Sequence, residues 1–247
     1  MSISVCMATY NGEKYVREQL DSILKQLGKD DEVVVVDDAS TDGTLKVVAD
    51  IQDTRIRMIR QSQNRGVIKT FAHAIQQSRG DILFLADQDD IWCEDKVRKV
   101  EAFFASHPDV TLVLSDYKVI DGSGNISDSS RRASRRFRPG VFYNILQNRY
   151  HGCAMAFRRS ILEYCLPFPD DVPMHDLWIG IVNDLIGRTG FLGEALVFYR
   201  RHDANASRER HASVGQMMRW RWRLTRSLIS LYTRKILAPR LRMLRLV

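Results

Sequence analysis

The stretch "GDILFLADQDDIW", residues 80–92, decides the fold: an unbroken apolar run leads straight into three carboxylates, Asp87, Asp89 and Asp90, and then a tryptophan. A strand that is apolar on both faces belongs inside a sheet covered by helices on both sides. Carboxylates at the end of such a strand either face solvent in a turn or hold a cation, because they are rarely buried unpaired.

The same pattern recurs on the N-terminal side. "ISVCMAT" (3–9) and "EVVVVDD" (32–38) are short β-rich runs. Between them "EKYVREQLDSILKQL" (13–27) places Val16, Leu20, Ile23, Leu24 and Leu27 at helical spacing. "TDGTLKVVADI" (41–51) reads as helix, "RIRMIRQ" (55–61) as strand and "GVIKTFAHAIQQS" (66–78) as helix, and a further helix is expected over 94–106. Repeated βα units of this kind predict an α/β fold with a Rossmann-like, mostly parallel central sheet and helices on both faces. Ligands of such sheets bind beyond the carboxyl ends of the strands. Three of those ends are unusual here: "ATYNG" (8–12), "DDASTDG" (37–43) and "DQDD" (87–90). No GxGxxG follows the first strand and no GxxxxGK[ST] occurs, which excludes a dinucleotide fingerprint and a P-loop.

After Pro108 come a strand, "VTLVLSDYKVID" (110–121), and a polar loop over 121–138 with five arginines between Arg131 and Arg138. "HGCAMAFRRSIL" (151–162) reads as strand into helix, "MHDLWIGIVNDLIG" (174–187) as a helix opening with His175 and Asp176, and "GFLGEALVFYRRH" (190–202) as strand.

Composition bounds the classes. The 247 residues, 45% hydrophobic, suffice for one large core or two modest ones. Four cysteines without a CxxC pair, and an N-terminus lacking a basic flank before an apolar run, predict a reducing, cytoplasmic setting. No apolar run reaches the roughly 18 to 20 residues that span a bilayer. The net charge of +7 is uneven: from Arg210 onward there are ten Lys and Arg and no acid, so residues 1–209 carry −3. We therefore divide the chain into a body, 1–210, and a basic tail, 211–247. Within the tail, "RWRWRLTRSLISLYTRKILAP" (219–239) predicts an amphipathic helix. Trp220, Leu224, Leu228, Leu231, Tyr232 and Ile236 would face an anionic membrane, with Arg219, Arg223, Arg226 and Arg234 opposite. The alternative is a helix packed on its own domain or on a second subunit, as a homodimer. A pI near 9.4 with interleaved Arg and Trp also suits nucleic acid, but the acidic body argues against it.

An Asp-x-Asp on a tight turn after a buried strand supplies hard oxygen ligands suited to Mg²⁺ or Mn²⁺ bridging phosphates. At the second strand end, Asp37 or Asp38 can accept the imide N–H of a pyrimidine or a ribose hydroxyl; the competing role is an Asx-turn or N-cap toward Asp42, and the two roles can fall to different carboxylates.

Four ordered motifs, "SVCMATYNGEKYV", "VVVVDDASTDGT", "NRGVIKTFAHAI" and "GDILFLADQDDIW", together resemble family 2 glycosyltransferases with the GT-A fold, over residues 2 to about 210. The "ADQDDIW" form is similar to bacterial enzymes of surface polysaccharide synthesis, rhamnosyltransferases among them. The resemblance implies an inverting transfer from a nucleotide-diphosphate sugar, dTDP-rhamnose or a UDP-sugar, to a saccharide or lipid-linked acceptor. It places Thr9, Tyr10 and Asp38 at the base and Asp87 on the nucleotide sugar. Asp89 and Asp90, with His202 of "YRRHDANAS" (199–207), are the expected metal ligands, and Arg200 and Arg201 neighbours of the diphosphate. The family's Glu-Asp pair stands here as His175-Asp176, a departure at its first position, leaving Asp176 as the catalytic base that takes the acceptor proton. Trp92 and Trp178 are expected to pack against helices. Competing classes are a metal-dependent nucleotidyltransferase and a non-catalytic nucleotide or nucleic-acid binder.

Overall fold

The computed structural model describes residues 1–127, 139–170, 172–203 and 213–238. The arginine run 131–138 and most of the "DANAS" segment lie outside the described residues. The chain alternates β1 (Ile3–Thr9), α1 (Val16–Leu24), β2 (Glu32–Asp37), α2 (Thr44–Ala49), β3 (Ile56–Arg60), α3 (Val67–Gln77) and β4 (Ile82–Asp87). The second half supplies β5 (Ile91–Trp92), α4 (Lys96–Ser106), β6 (Leu112–Ile120), α5 (Val141–Leu146), β7 (Met155–Arg158), α6 (Leu162–Cys165), α7 (His175–Ile186), β8 (Thr189–Arg200) and α8 (Val214–Leu231). One eight-stranded sheet has the order β3-β2-β1-β4-β7-β6-β8-β5. The first four strands run parallel, whereas β7 lies antiparallel between β4 and β6, and β5 is antiparallel to β8.

Alternate residues of each central strand enter opposite cores, as the pleat requires. Val5 and Met7 of β1 share one core with Val16, Leu20 and Ile23 of α1 and Val100 and Phe104 of α4, while Cys6 belongs to the other, with Phe71 and Ile75 of α3 and Trp178 and Val182 of α7. The apolar strands are thus covered on both faces. Because β1, β2 and β4 are parallel, their ends bring the three unusual loops to one edge.

The tail helix corrects the expected lipid-facing side. Leu224, Leu228 and Leu231 are buried in the same core as α3 and α7, so the leucines of the face read as membrane-inserting pack on the domain, whereas Trp220 and Tyr232 of that face are exposed. Met218, Trp222 and Ile229, outside that face, are exposed as well, with Trp222 at 70%. α8 also rests on α5, where Arg221 donates to the Leu146 carbonyl at 2.7 Å. No described helix is long and apolar enough to cross a membrane.

Candidate active site

The strand ends enclose a cavity of about 910 Å³ reaching from Thr9, Tyr10 and Asp38 past Asp87 and Asp89 to His175 and Asp176. A smaller groove of about 600 Å³ between α3 and residues 167–170 adjoins it at Gly66 and Val67 and holds no carboxylate cluster. The chemistry therefore lies in the larger cavity.

At one end the two neighbouring aspartates divide the work. Asp37 is fully buried and accepts from Thr9 Oγ1 at 3.0 Å, Ser40 Oγ at 2.5 Å and the Ser40 N–H at 2.9 Å, so it builds the turn. Asp38 reaches across to the start of α3, accepting from the Arg65 N–H at 2.7 Å, the Gly66 N–H at 2.9 Å and Gln61 Nε2 at 3.1 Å. Gly66 adopts φ +84°, a left-handed conformation that glycine enters without strain. A carboxylate offers about four acceptor sites, so Asp38 keeps roughly one for a base N–H. Removing it strands two backbone donors, so Asp38→Ala should cost about 1 to 3 kcal/mol in urea unfolding. It should also weaken uridine and thymidine diphosphates more than guanosine diphosphate. Equal weakening of all three would assign Asp38 to loop scaffolding alone.

Gln88, which the sequence reading passed over, clamps the first loop to the fourth strand. Its Oε1 accepts from the Tyr10 N–H at 2.9 Å and its Nε2 donates to the Tyr10 carbonyl at 3.0 Å. Tyr10 itself is half exposed over the cavity.

In the middle, Asp89 and His202 come together, with His202 Nε2 2.8 Å from Asp89 Oδ2 and the imidazole beside the Tyr15 ring at 4.8 Å. Asp87 is crowded: desolvation first, then the charges of Asp89 and Asp176, push its carboxyl up to about 7. Asp90 sits elsewhere. It is fully buried, is not among the cavity-lining residues, and accepts from the Arg200 N–H at 2.9 Å. With Asp87 and the Cys153 thiol it forms a group whose potential ligand atoms fall within 4.8 Å of one another. A buried, protonated thiol is a poor partner for a hard cation, and burial holds Cys153 well above its ordinary pKa. A cation is already built in beside them: buried Lys96 donates to the Cys153 carbonyl at 2.7 Å, lies 4.0 Å over the Trp92 ring, and counters Asp87 and Asp90. The hard oxygen donors facing the cavity are therefore Asp87 and Asp89, and with His202 beside Asp89 they form a set that fits Mg²⁺ or Mn²⁺.

Arg200 turns inward, bonding the Asp89 carbonyl at 2.8 Å and Glu18 at 2.6 Å, whereas Arg201 lines the cavity. Trp92 and Trp178 are both core residues; Trp178 Nε1 donates to the Cys165 carbonyl at 2.9 Å.

At the far end α7 begins at the cavity wall. Asp176 Oδ1 accepts from its neighbour's Leu177 N–H at 2.6 Å and from Asn148 Nδ2 at 3.2 Å, and Oδ2 from the Gly152 N–H at 3.2 Å. Burial nevertheless outweighs these bonds and raises its carboxyl to about 6.

Comparison with known proteins agrees with this architecture. The profile described as Glycosyl transferase family 2 matches residues 4–166. The chain belongs to family 2 of the glycosyltransferases. An uncharacterized glycosyltransferase of Nostoc sp. is 30% identical over 83% of this chain and 66% of its own length. The Escherichia coli enzyme WfgD, named a UDP-Glc:alpha-D-GlcNAc-diphosphoundecaprenol beta-1,3-glucosyltransferase, is 24% identical over 74% of this chain and 70% of its own. Staphylococcus aureus TarS 1–349 in complex with UDP-GlcNAc superposes with a TM-score of 0.73 at 22% identity, covering 93% of this chain and 67% of that one, and shares the GT-A fold. The mannosyltransferase PcManGT of Pyrobaculum calidifontis, in complex with GDP-Man and Mn²⁺, superposes with a TM-score of 0.60 at 25% identity, over 95% of this chain and 64% of that one. This chain thus spans about two thirds of the length of the proteins it resembles.

Proposed function

We propose that this family 2 glycosyltransferase is an inverting enzyme that moves a hexose from a UDP- or dTDP-sugar, dTDP-rhamnose among the candidates, to a saccharide or lipid-linked acceptor in bacterial surface polysaccharide synthesis. The observation that carries it is the cavity itself, with Thr9 and Asp38 at one end, Asp87 and Asp89 with its neighbour His202 in the middle, and Asp176 beyond. WfgD's lipid diphosphate acceptor and the UDP-GlcNAc held by TarS support the substrate classes. Thr9, Tyr10 and Asp38 hold the nucleoside, with Asp87 beside the ribose and sugar. Asp89 and His202 would hold a divalent cation, which would supply positive charge against the departing diphosphate, with Arg201 alongside. Asp90 supports this turn from behind. Asp176 takes the proton of the acceptor hydroxyl as that oxygen attacks the anomeric carbon and the bond to the diphosphate breaks. The test is protection against thermal unfolding by a panel of nucleotide sugars, with and without Mn²⁺; a panel that protects nowhere rejects the proposal.

The same reading places the enzyme at the inner face of the cytoplasmic membrane. Exposed Met218, Trp222 and Ile229 share one side of α8, bordered by exposed Arg219, Arg223 and Arg226. Neighbouring α5 adds Phe142, Tyr143 and Leu146 and runs into the cavity-lining segment at Asn148. Each basic residue near anionic lipid adds roughly 1 kcal/mol. Trp222→Glu should therefore reduce cosedimentation with phosphatidylglycerol vesicles severalfold while leaving the fold and nucleotide binding intact. If the unmodified protein ignores these vesicles and is dimeric in solution, the stripe is a subunit interface.

A further inference from the structure

His175 stands out among the buried polar side chains. It opens α7, is 3% exposed, and lines the cavity beside Asp176. Neither ring nitrogen has a hydrogen-bond partner. The imidazole stacks on Phe71, with ring centroids 4.1 Å apart and planes 19° from parallel. Its Nε2 edge lies close to Gly152, where an added Cβ would come within 2.9 Å of Nε2. Ring and backbone therefore fix the plane of the imidazole while leaving its polar atoms unused.

A buried polar group without a partner is a cost to folding, and cavity walls are where such a cost is tolerated in exchange for a ligand. Burial also keeps this imidazole neutral, pulling its pKa down to about 3. A neutral imidazole presents one N–H donor and one acceptor nitrogen. A sugar hydroxyl is itself both donor and acceptor. Within the cavity the nucleoside end is claimed by Thr9 and Asp38 and the diphosphate by the Asp89–His202 pair. Beside Asp176 the hexosyl ring meets the acceptor hydroxyl, and His175 stacks on Phe71 of α3, the helix whose start holds Asp38, which puts it on the donor side.

We propose that His175 is the residue that reads the donor hexose, its ring nitrogens pairing with hydroxyls of the sugar ring over the Phe71 platform. The ligand class is a neutral hydroxylated hexosyl group. A uronic acid would bring its carboxylate against Asp87, Asp89 and Asp176. This inference rests on the donor-binding reading above and adds the residue that distinguishes sugar from nucleotide.

The test is calorimetric titration, with Mn²⁺ present, of the unmodified protein, His175→Phe and His175→Gln with the preferred nucleotide sugar and with its free nucleoside diphosphate. His175→Phe keeps an aromatic ring against Phe71 and deletes the unpaired polar atoms, so its unfolding midpoint should be no lower than that of the unmodified protein. It should nevertheless bind the nucleotide sugar about tenfold or more weakly, the scale of one lost hydrogen bond to a buried partner, with free nucleoside diphosphate unchanged within about twofold. His175→Gln, which restores a donor and an acceptor, should recover part of the loss. Undiminished sugar-nucleotide binding by His175→Phe, or equal loss of sugar nucleotide and nucleoside diphosphate, would overturn the role of His175 alone. Absence of nucleotide-sugar binding by the unmodified protein would overturn the donor reading and this inference with it.

Discussion

Asp176→Asn should lower kcat by on the order of 10² to 10⁴ while nucleotide-sugar affinity stays within a few fold, because general base catalysis contributes on that scale and the amide preserves shape. Asparagine retains an acceptor oxygen for the Leu177 or Gly152 N–H that Asp176 now holds, so the start of α7 should survive. The pH profile supplies an independent sign. Burial raises this carboxyl to about 6, which means that the fold favours its neutral form. Its contribution to stability is therefore present at low pH and is lost as pH rises from the unfolded value through about 6. The catalytically competent ionised form appears over the same interval. Turnover should accordingly be lost as pH falls through about 6, and an ionised carboxylate held against its environment is a stronger proton acceptor for that reason. Measured in the substrate-saturated regime, a profile flat between pH 5 and 8 would remove Asp176 from the base role. So would a variant that loses nucleotide affinity and keeps turnover.

Asp89→Ala should abolish measurable turnover, and EDTA should do the same to the unmodified protein. Asp89 lines the cavity and meets His202 at 2.8 Å, so a hard oxygen and an imidazole stand side by side next to Asp87. Without a cation there, Asp87, already pushed up to about 7 beside Asp89, would share the cavity with a doubly negative diphosphate. Coulomb repulsion of that kind is strong in a partly dehydrated site. Added Mn²⁺ should restore the EDTA-treated protein and leave Asp89→Ala inactive. Full activity in EDTA would show that Arg201 and Lys96 suffice and that the acidic turn has another purpose.

The fold was legible in the sequence because its strands are apolar on both faces and its helices carry strong 3.6-residue periodicity; β1, β2 and β4 fell within the expected runs. Also legible was that three strand ends share one edge, since parallel strands leave no other arrangement. The division of labour inside the motifs was not. Asp37 and Asp38 are adjacent in sequence, yet one is consumed by the Ser40 turn and the other reaches α3, a choice set by tertiary contacts. Likewise Asp90 follows Asp89 but points into the core, where Lys96 balances it. The local clue was a lysine opening α4, opposite to the acid preferred at a helix N-terminus. The tail was predicted correctly as a helix, but its leucines were not assignable: an apolar stripe has the same spacing whether lipid or protein covers it, and Leu224, Leu228 and Leu231 are covered by protein while Trp220 and Tyr232 are exposed. His175 was noticed only as a departure from the family pair, because an orphaned imidazole is a property of its surroundings and not of its neighbours in the chain.

The central claim is transfer with inversion from a pyrimidine nucleotide sugar. It is tested most directly by following the anomeric protons of donor and product by NMR during turnover, with Mn²⁺, a UDP- or dTDP-sugar selected by the protection panel, and a polyprenyl-diphosphate-linked saccharide. The account predicts one equivalent of nucleoside diphosphate released per glycoside formed and a product of opposite anomeric configuration to the donor; a product that retains the donor configuration would contradict it.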